Sequence, residues 1–162
     1  MVLDRSAARN RFEAGFFDII EKHGWHVMSV ANAADEEGPI FSYSTGIFQR
    51  LRAPEMLIVG LNAALSASMI NHYAAQVAQG ASIEAGAFYG GYLEGFDVCF
   101  IEAWADARRD FATWADWYYE RKPFPILQCV WPTKSGIWPW DGAAEPWFKD
   151  MQPLLGPPPI RN

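Results

Sequence analysis

The sequence predicts an α+β domain, built as a mostly antiparallel sheet of about five to six strands with three helices packed on it. Three observations carry this expectation. Apolar residues recur at three- and four-residue steps in three separate segments, which is the helical period. Between these segments stand short runs rich in β-branched and aromatic residues, several of them consecutive, and strands that follow one another directly tend to pair antiparallel. The chain has 162 residues, 51% hydrophobic and 15% aromatic, enough for one core rather than two. The domain is expected to span 1–150, followed by a proline-rich, irregular tail over 151–162.

In chain order, residues 6–23 form the first predicted helix. Phe12, Phe16, Ile19, Ile20 and His23 are its core stripe, Asp4 or Ser6 its N-cap and Gly24 its terminator. WHVMSV reads as a strand and ANAADEEGP as the acidic turn after it. IFSYSTGIF alternates, with Phe41, Tyr43, Thr45 and Ile47 on one face and Ser42, Ser44 and Gly46 on the other. That small-residue face calls for a closely packed neighbour. Pro54 opens EMLIVGL, an unbroken apolar run that reads as a strand buried on both sides.

Asn62 caps a second helix, AALSASMINHYAAQVAQ, whose stripe is Leu65, Met69, Tyr73 and Val77, and Gly80 ends it. Residues 81–95 are a glycine-rich connection with room for a strand, and FDVCFIEAW is a strand. Asp106 caps a third helix running to Arg121, with Phe111, Trp114, Ala115 and Tyr118 inward, and Pro123 and Pro125 stop it. ILQCVWP and IWPW then pair across TKSG as a hairpin.

Charge narrows the partners. The formal net charge is -6, and the basic residues form no run longer than Arg108-Arg109 or Arg121-Lys122, so neither nucleic acid nor an anionic membrane is an expected partner. No apolar run reaches the roughly 20 residues that span a bilayer, and the N-terminal stretch lacks a signal-peptide pattern, so a cytoplasmic location is expected. Cys99 and Cys129 lie in apolar stretches without CxxC spacing and read as buried free thiols.

The motif inventory is thin. His23 and His26 flank a Gly-Trp pair and His72 stands apart, so no metal site and no cofactor are expected. His23 reads as a helix C-terminal cation, whereas His26, beside Trp25 on a strand, is a candidate binding residue. There is no GxSxG elbow, and nothing in the spacing selects an acid/base pair from Glu55, Glu94, Asp97 and Glu102. GAFYGGYLEG lacks a phosphate-cradling pattern, and its rings point to a packed or stacking segment. The most specific feature is LQCVWPTKSGIWPW. Each indole of Trp131, Trp138 and Trp140 carries an N–H that needs a partner when buried, so the three either roof the core or form a stacking or partner-binding surface.

HGWHV, FSYSTGI, PEMLIVGL and LQCVWPTKSGIWPW together resemble the bacterial domain of unknown function family 4262, over roughly residues 15 to 141. The resemblance implies a bacterial, cytoplasmic, single-domain protein and no assigned activity. The family's recurrent positions fall on Gly24, Trp25, Tyr43, Thr45, Gly46, Pro54, Glu55, Gln128, Trp131, Pro132, Gly136, Pro139 and Trp140. Thr133 stands where the family usually has Asp after Trp-Pro, and Ser44 precedes Thr45 where it tends to have a tyrosine-threonine pair. A threonine replaces an aspartate that starts a turn, but not one that acts as base or ligand.

Two functions follow as expectations, with catalysis the less expected. One is a non-enzymatic protein-binding domain, in concrete form a bacterial immunity or antitoxin-type protein that covers a basic toxin domain with acidic and aromatic side chains, Asp35, Glu36 and Glu37 among them. The other is a small-molecule-binding domain or enzyme, with Tyr43, Thr45, Glu55 and Gln128 lining a pocket and Trp131 or Trp140 as a stacking wall.

Overall fold

The structure is a computed structural model that describes residues 1–31 and 38–159; Asp35, Glu36 and Glu37 lie outside the described residues. In chain order the elements are α1 (Arg11–His23), β1 (His26–Val30), β2 (Phe41–Thr45), α2 (Ile47–Leu51), β3 (Glu55–Val59), α3 (Ala63–Ala78), β4 (Phe88–Leu93), β5 (Phe96–Glu102), α4 (Asp106–Asp110), α5 (Thr113–Tyr118), β6 (Ile126–Val130) and α6 (Pro146–Met151). The six strands form one sheet in the order β1-β2-β3-β6-β5-β4. Among the described residues only β3 and β6 pair in parallel; the other pairings are antiparallel. The α+β class and the mostly antiparallel sheet are as the sequence predicts, with six α-helices among the described residues instead of three.

Alternation along the central strands divides the core into two faces. Met56, Ile58, Val98, Phe100, Leu127 and Cys129 face α3, which buries Met69, Ile70 and Tyr73 against them. Tyr43, Leu57, Val59 and Ile126 face the other way, under Phe16, Phe17 and Ile20 of α1 and Ala115 and Tyr118 of α5. Cys99, Ile101 and Val130 continue that second face and are covered by Trp138, Trp140 and Leu154. The cysteines are therefore buried free thiols on opposite faces, and burial pushes the Cys99 thiol up to about 11.

The neighbour demanded by the small-residue face of β2 is α3. At the end of that strand Gly46 has φ 112°, and a Cβ there would stand 2.8 Å from the Gly24 carbonyl oxygen. Chain approach and backbone conformation both require glycine at this position.

Six expectations are corrected. α1 begins at Arg11, where Asn10 accepts from the Glu13 amide at 2.9 Å; Asp4 instead caps a separate short turn over Arg5–Ala7. Its buried stripe is Glu13, Phe16, Phe17 and Ile20, while Phe12, Ile19 and His23 are exposed. The stripe is rotated because α5 sets Trp117 and Tyr118 against Phe17, with ring centroids 5.4 and 6.1 Å away. The third helix is broken into α4 and α5 at Ala112. Phe111 packs edge-on to Phe41 at 5.0 Å, and the Trp114 amide donates to the Tyr43 hydroxyl at 3.1 Å.

IWPW forms no strand, since β6 is already paired on both sides by β3 and β5 and has no edge left for a hairpin partner. Ile47 belongs to α2 rather than to a strand. Residues 152–159 are irregular, but they are not a loose tail, because Gln152 and Gly156 are buried and the packed domain runs past 150.

Candidate functional site

Glu55 opens β3 and is wholly buried. Its Oε1 accepts from the Ser44 hydroxyl (2.7 Å) and the Ile47 amide (3.1 Å), and its Oε2 from the amides of Gly46 (2.9 Å) and Phe48 (3.1 Å) and from the Tyr119 hydroxyl. Three of these donors are the first amides of α2 and its cap, which have no acceptor inside the helix. Removal from water pushes the Glu55 carboxyl above its ordinary value, and the bonds from Tyr119, Ser44, Phe48 and Gly46 pull it back. All five partners donate, which matches an acceptor-only carboxylate. Burial, and then the nearby Glu55 charge, push the Tyr119 phenol up, so it stays a donor. The group is a knot that ties β2, α2, β3 and α5 together, with Glu55 and Ser44 fully buried and Tyr119 nearly so.

Gln128 is committed in the same way. Its amide donates to the Pro153 carbonyl at 2.9 Å and its carbonyl accepts from the Leu155 amide at 2.7 Å. Gln152 makes the matching pair with the Trp131 backbone, accepting at 3.0 Å and donating at 2.8 Å. Tyr43 holds the α4–α5 break. The expected pocket of Tyr43, Thr45, Glu55 and Gln128 is thus corrected, because all four are buried in the body of the fold and three of them spend their polar atoms on internal bonds.

Thr45 differs. It is the cross-strand partner of His26, and among the described residues Thr45 Oγ1 and His26 Nδ1 are buried without a hydrogen-bond partner. The His26 ring lies 4.9 Å from Phe16, and its desolvation holds the imidazole below the ordinary value of 6.5. A histidine kept neutral in the fold but protonated when unfolded stabilises fully above its unfolded value, so stability is expected to fall as pH drops below about 6.5. An NMR titration is expected to give His26 a pKa below 6.5, and a value above it contradicts this reading.

The tryptophans separate. Trp131 is in the core, its indole donating to the Val59 carbonyl at 2.8 Å and its ring edge-on to Phe148 at 5.2 Å. Trp138 and Trp140 stack on each other, 5.0 Å apart and 4° from parallel, over Cys99, Ile101 and Val130. The loop ahead of them is closed by Thr133, whose backbone carbonyl accepts from Gly136 (2.9 Å) and whose amide donates to Ile137 (2.8 Å). Its hydroxyl accepts from the Ile137 amide at 3.1 Å.

This loop forms one wall of an apolar cleft of about 680 Å³. Leu61 and Leu65, where β3 leads into α3, form a second wall. Leu93 and Phe96 of the β4–β5 turn and Trp147, Phe148 and Met151 of α6 complete it. Its position has a topological cause. β3 and β6 are parallel, so their carboxyl ends coincide; the chain then leaves β3 for α3 on one face and leaves β6 for the Trp138-Trp140 stack on the other. Diverging connections beyond the ends of neighbouring parallel strands open a crevice, as they do at the switch point of a parallel α/β sheet. Trp147 and Met151, 56% and 41% exposed and four residues apart on α6, stand at its mouth. Of the sequence-predicted site residues only Trp131 lines it. The sequence signal for Trp147 and Met151 is the i, i+4 spacing in PWFKDM behind a proline at the first helical position, a helix that a domain boundary at 150 divides.

The family model described as Domain of unknown function (DUF4262) matches residues 19–145. The chain belongs to this family. No curated protein and no solved structure matches it. In this DUF4262 chain the departure at Thr133 falls on a turn hydrogen bond, a role that an aspartate carboxylate fills equally well. Thr133→Asp is therefore expected to leave the melting temperature of the DUF4262 chain nearly unchanged, whereas Thr133→Val removes the acceptor and costs about 0.5–1.5 kcal/mol in urea unfolding. Equal stability of the two variants would contradict the turn role. Among the described residues no group of three His, Cys, Asp or Glu side chains is placed to hold a metal ion, and no helix is long and apolar enough to cross a membrane.

Proposed function

We propose that this chain is a non-enzymatic protein-binding domain whose recognition site is the cleft beyond the carboxyl ends of β3 and β6. The observation that carries the reading is a contrast: Tyr43, Glu55 and Gln128 are consumed inside the fold, while the apolar cleft stands open with Trp147 and Met151 at its mouth. Partly exposed aromatic and methionine side chains around an apolar hollow are the usual anchors of a protein interface. Exposed Glu94, Asp97, Glu145 and Asp150 lie on the elements around it, against Lys134 and Lys149. With a net charge of -6, this suits a basic partner that inserts an apolar side chain, as an immunity or antitoxin-type protein meets its toxin domain in the bacterial cytoplasm.

A second reading has its own support. A volume of about 680 Å³ with an almost wholly apolar lining also suits a small hydrophobic ligand. The test is a pull-down of the tagged chain from its native cell extract, with mass spectrometry of retained proteins and small molecules. A stoichiometric basic protein supports the proposal. A small molecule retained without a protein overturns it in favour of the second reading.

A further inference from the structure

Two arginines far apart in sequence meet at one small hollow. Arg9, just ahead of α1, and Arg121, shortly after α5, line it with Glu13, Thr113, Trp114 and Trp117, and its volume is about 230 Å³. It shares no residue with the cleft beyond β3 and β6. Packing on α1 sets its apolar walls. Phe16 meets Trp114 at 5.1 Å and Phe17 meets Trp117 at 5.4 Å, and the two indoles stand 79° to each other with centroids 6.2 Å apart. Two near-perpendicular indoles make a corner, in which a flat ring lies on one and sets its edge against the other.

The polar groups are layered. The Glu13 and Asp116 side chains lie behind, 9% and 6% exposed, and those of Arg9 and Arg121 stand in front, 78% and 74% exposed. Glu13 accepts from Arg9 Nε at 3.2 Å and Nη2 at 3.1 Å, and Asp116 from Arg121 Nη1 at 3.0 Å. Both forks are thus fixed from behind, while most of their N–H groups have no acceptor among the described residues. The chain end at α5 adds a second observation. The Glu120 amide donates to the Trp117 carbonyl at 2.9 Å and the Arg121 amide to the Asp116 carbonyl at 2.8 Å, the two bonds of a Schellman close. Glycine ordinarily makes that turn, yet Glu120 and Arg121 take left-handed φ of 56° and 60°. Glycine at 121 relieves the strain but takes the guanidinium away from the hollow.

We infer that this hollow is a binding site for a small aromatic carboxylate. The ring lies in the corner of Trp114 and Trp117, and the carboxylate takes the unspent N–H groups of Arg9 and Arg121, since planar guanidinium forks match a carboxylate with parallel bonds. Glu13 does not oppose it, because both its oxygens are already covered by donors from Arg9 and Asn10. An inorganic anion meets the forks but leaves both indoles unused, and a neutral apolar molecule leaves the forks without acceptors. The volume is below the roughly 300 Å³ at which drug-sized pockets begin, which limits the ligand to one ring system with a short acid arm.

Titration of the isotope-labelled full chain with phenylacetate, followed by NMR at the indole N–H resonances of its tryptophans, tests this. Saturable shifts are expected at Trp114 and Trp117, with a Kd in the millimolar range or tighter, and none at Trp147 in the cleft. Phenylacetamide, which lacks the charge, and acetate, which lacks the ring, are expected to bind about tenfold more weakly or worse. Arg9→Gln and Arg121→Gly, the second of which also relieves the left-handed strain, are each expected to keep a folded spectrum and to weaken phenylacetate about tenfold. Absence of saturable shifts at Trp114 and Trp117, equal binding of phenylacetamide or acetate, shifts centred on Trp147, or full affinity in either folded variant overturns the inference.

Discussion

Glu55→Gln is expected to lower stability by about 2–4 kcal/mol in urea unfolding, because one carboxylate oxygen becomes an NH₂ that faces donors and leaves them unpaired in the core. The amides of Gly46, Ile47 and Phe48 start α2, and Ser44 and Tyr119 come from β2 and the end of α5, so one substitution loosens four elements together. Tyr119→Phe removes one donor and keeps the carboxylate, with a smaller expected loss of about 1.5–3 kcal/mol. If Glu55→Gln unfolds at the wild-type midpoint, the carboxylate is not the knot that the geometry makes it.

Removing residues 152–162 is expected to leave a chain that is mostly unfolded at 37 °C. The cut deletes both bonds between Gln152 and the Trp131 backbone, both bonds from Gln128 to Pro153 and Leu155, and the bond from the Trp104 amide to the Leu155 carbonyl. At about 1 kcal/mol for each bond, and more for the buried amide of Gln128 left without partners, the loss is comparable to the whole stability of a small domain. Gln152→Leu alone is expected to cost about 2–3 kcal/mol, since it strands the Trp131 N–H and C=O in the core. Circular dichroism melts check both variants, and a truncated chain that melts like the wild type would show that the segment only lies on the surface.

What was legible in the sequence was what local pattern decides. The Gly24 and Asn62 caps, the doubly buried β3, the small-residue face of β2 and the strand FDVCFIE each follow from periodicity or capping chemistry within a few residues, and the structure has all of them. What was not legible depends on distant partners. The rotated stripe of α1 is set by Phe17 against Trp117 and Tyr118, a hundred residues away, and the broken third helix by Tyr43. Pairing of IWPW with β6 is ruled out only once β3 and β5 are known to flank that strand.

The candidate site misled for a related reason. Tyr43, Glu55 and Gln128 looked like a convergent polar set, and Glu55 does converge with Ser44 and Tyr119, but for the sake of the fold. The cleft needs β3 and β6 side by side, and they are more than sixty residues apart in sequence. Family motifs are consistent with both roles, because Glu55 and Gln128 serve the scaffold while Trp131 serves scaffold and cleft together.

The most direct measurement is partner retention by two variants side by side, captured from the native extract below their melting temperatures. Trp147→Ala/Met151→Ala alters the mouth of the cleft at positions that are largely exposed, and Tyr119→Phe weakens the Glu55 knot without touching the cleft. The cleft variant is expected to lose the partner with an unchanged melting temperature, and Tyr119→Phe to keep the partner while melting lower. Retention by the cleft variant together with loss by folded Tyr119→Phe would contradict the assignment and return the site to the buried polar residues.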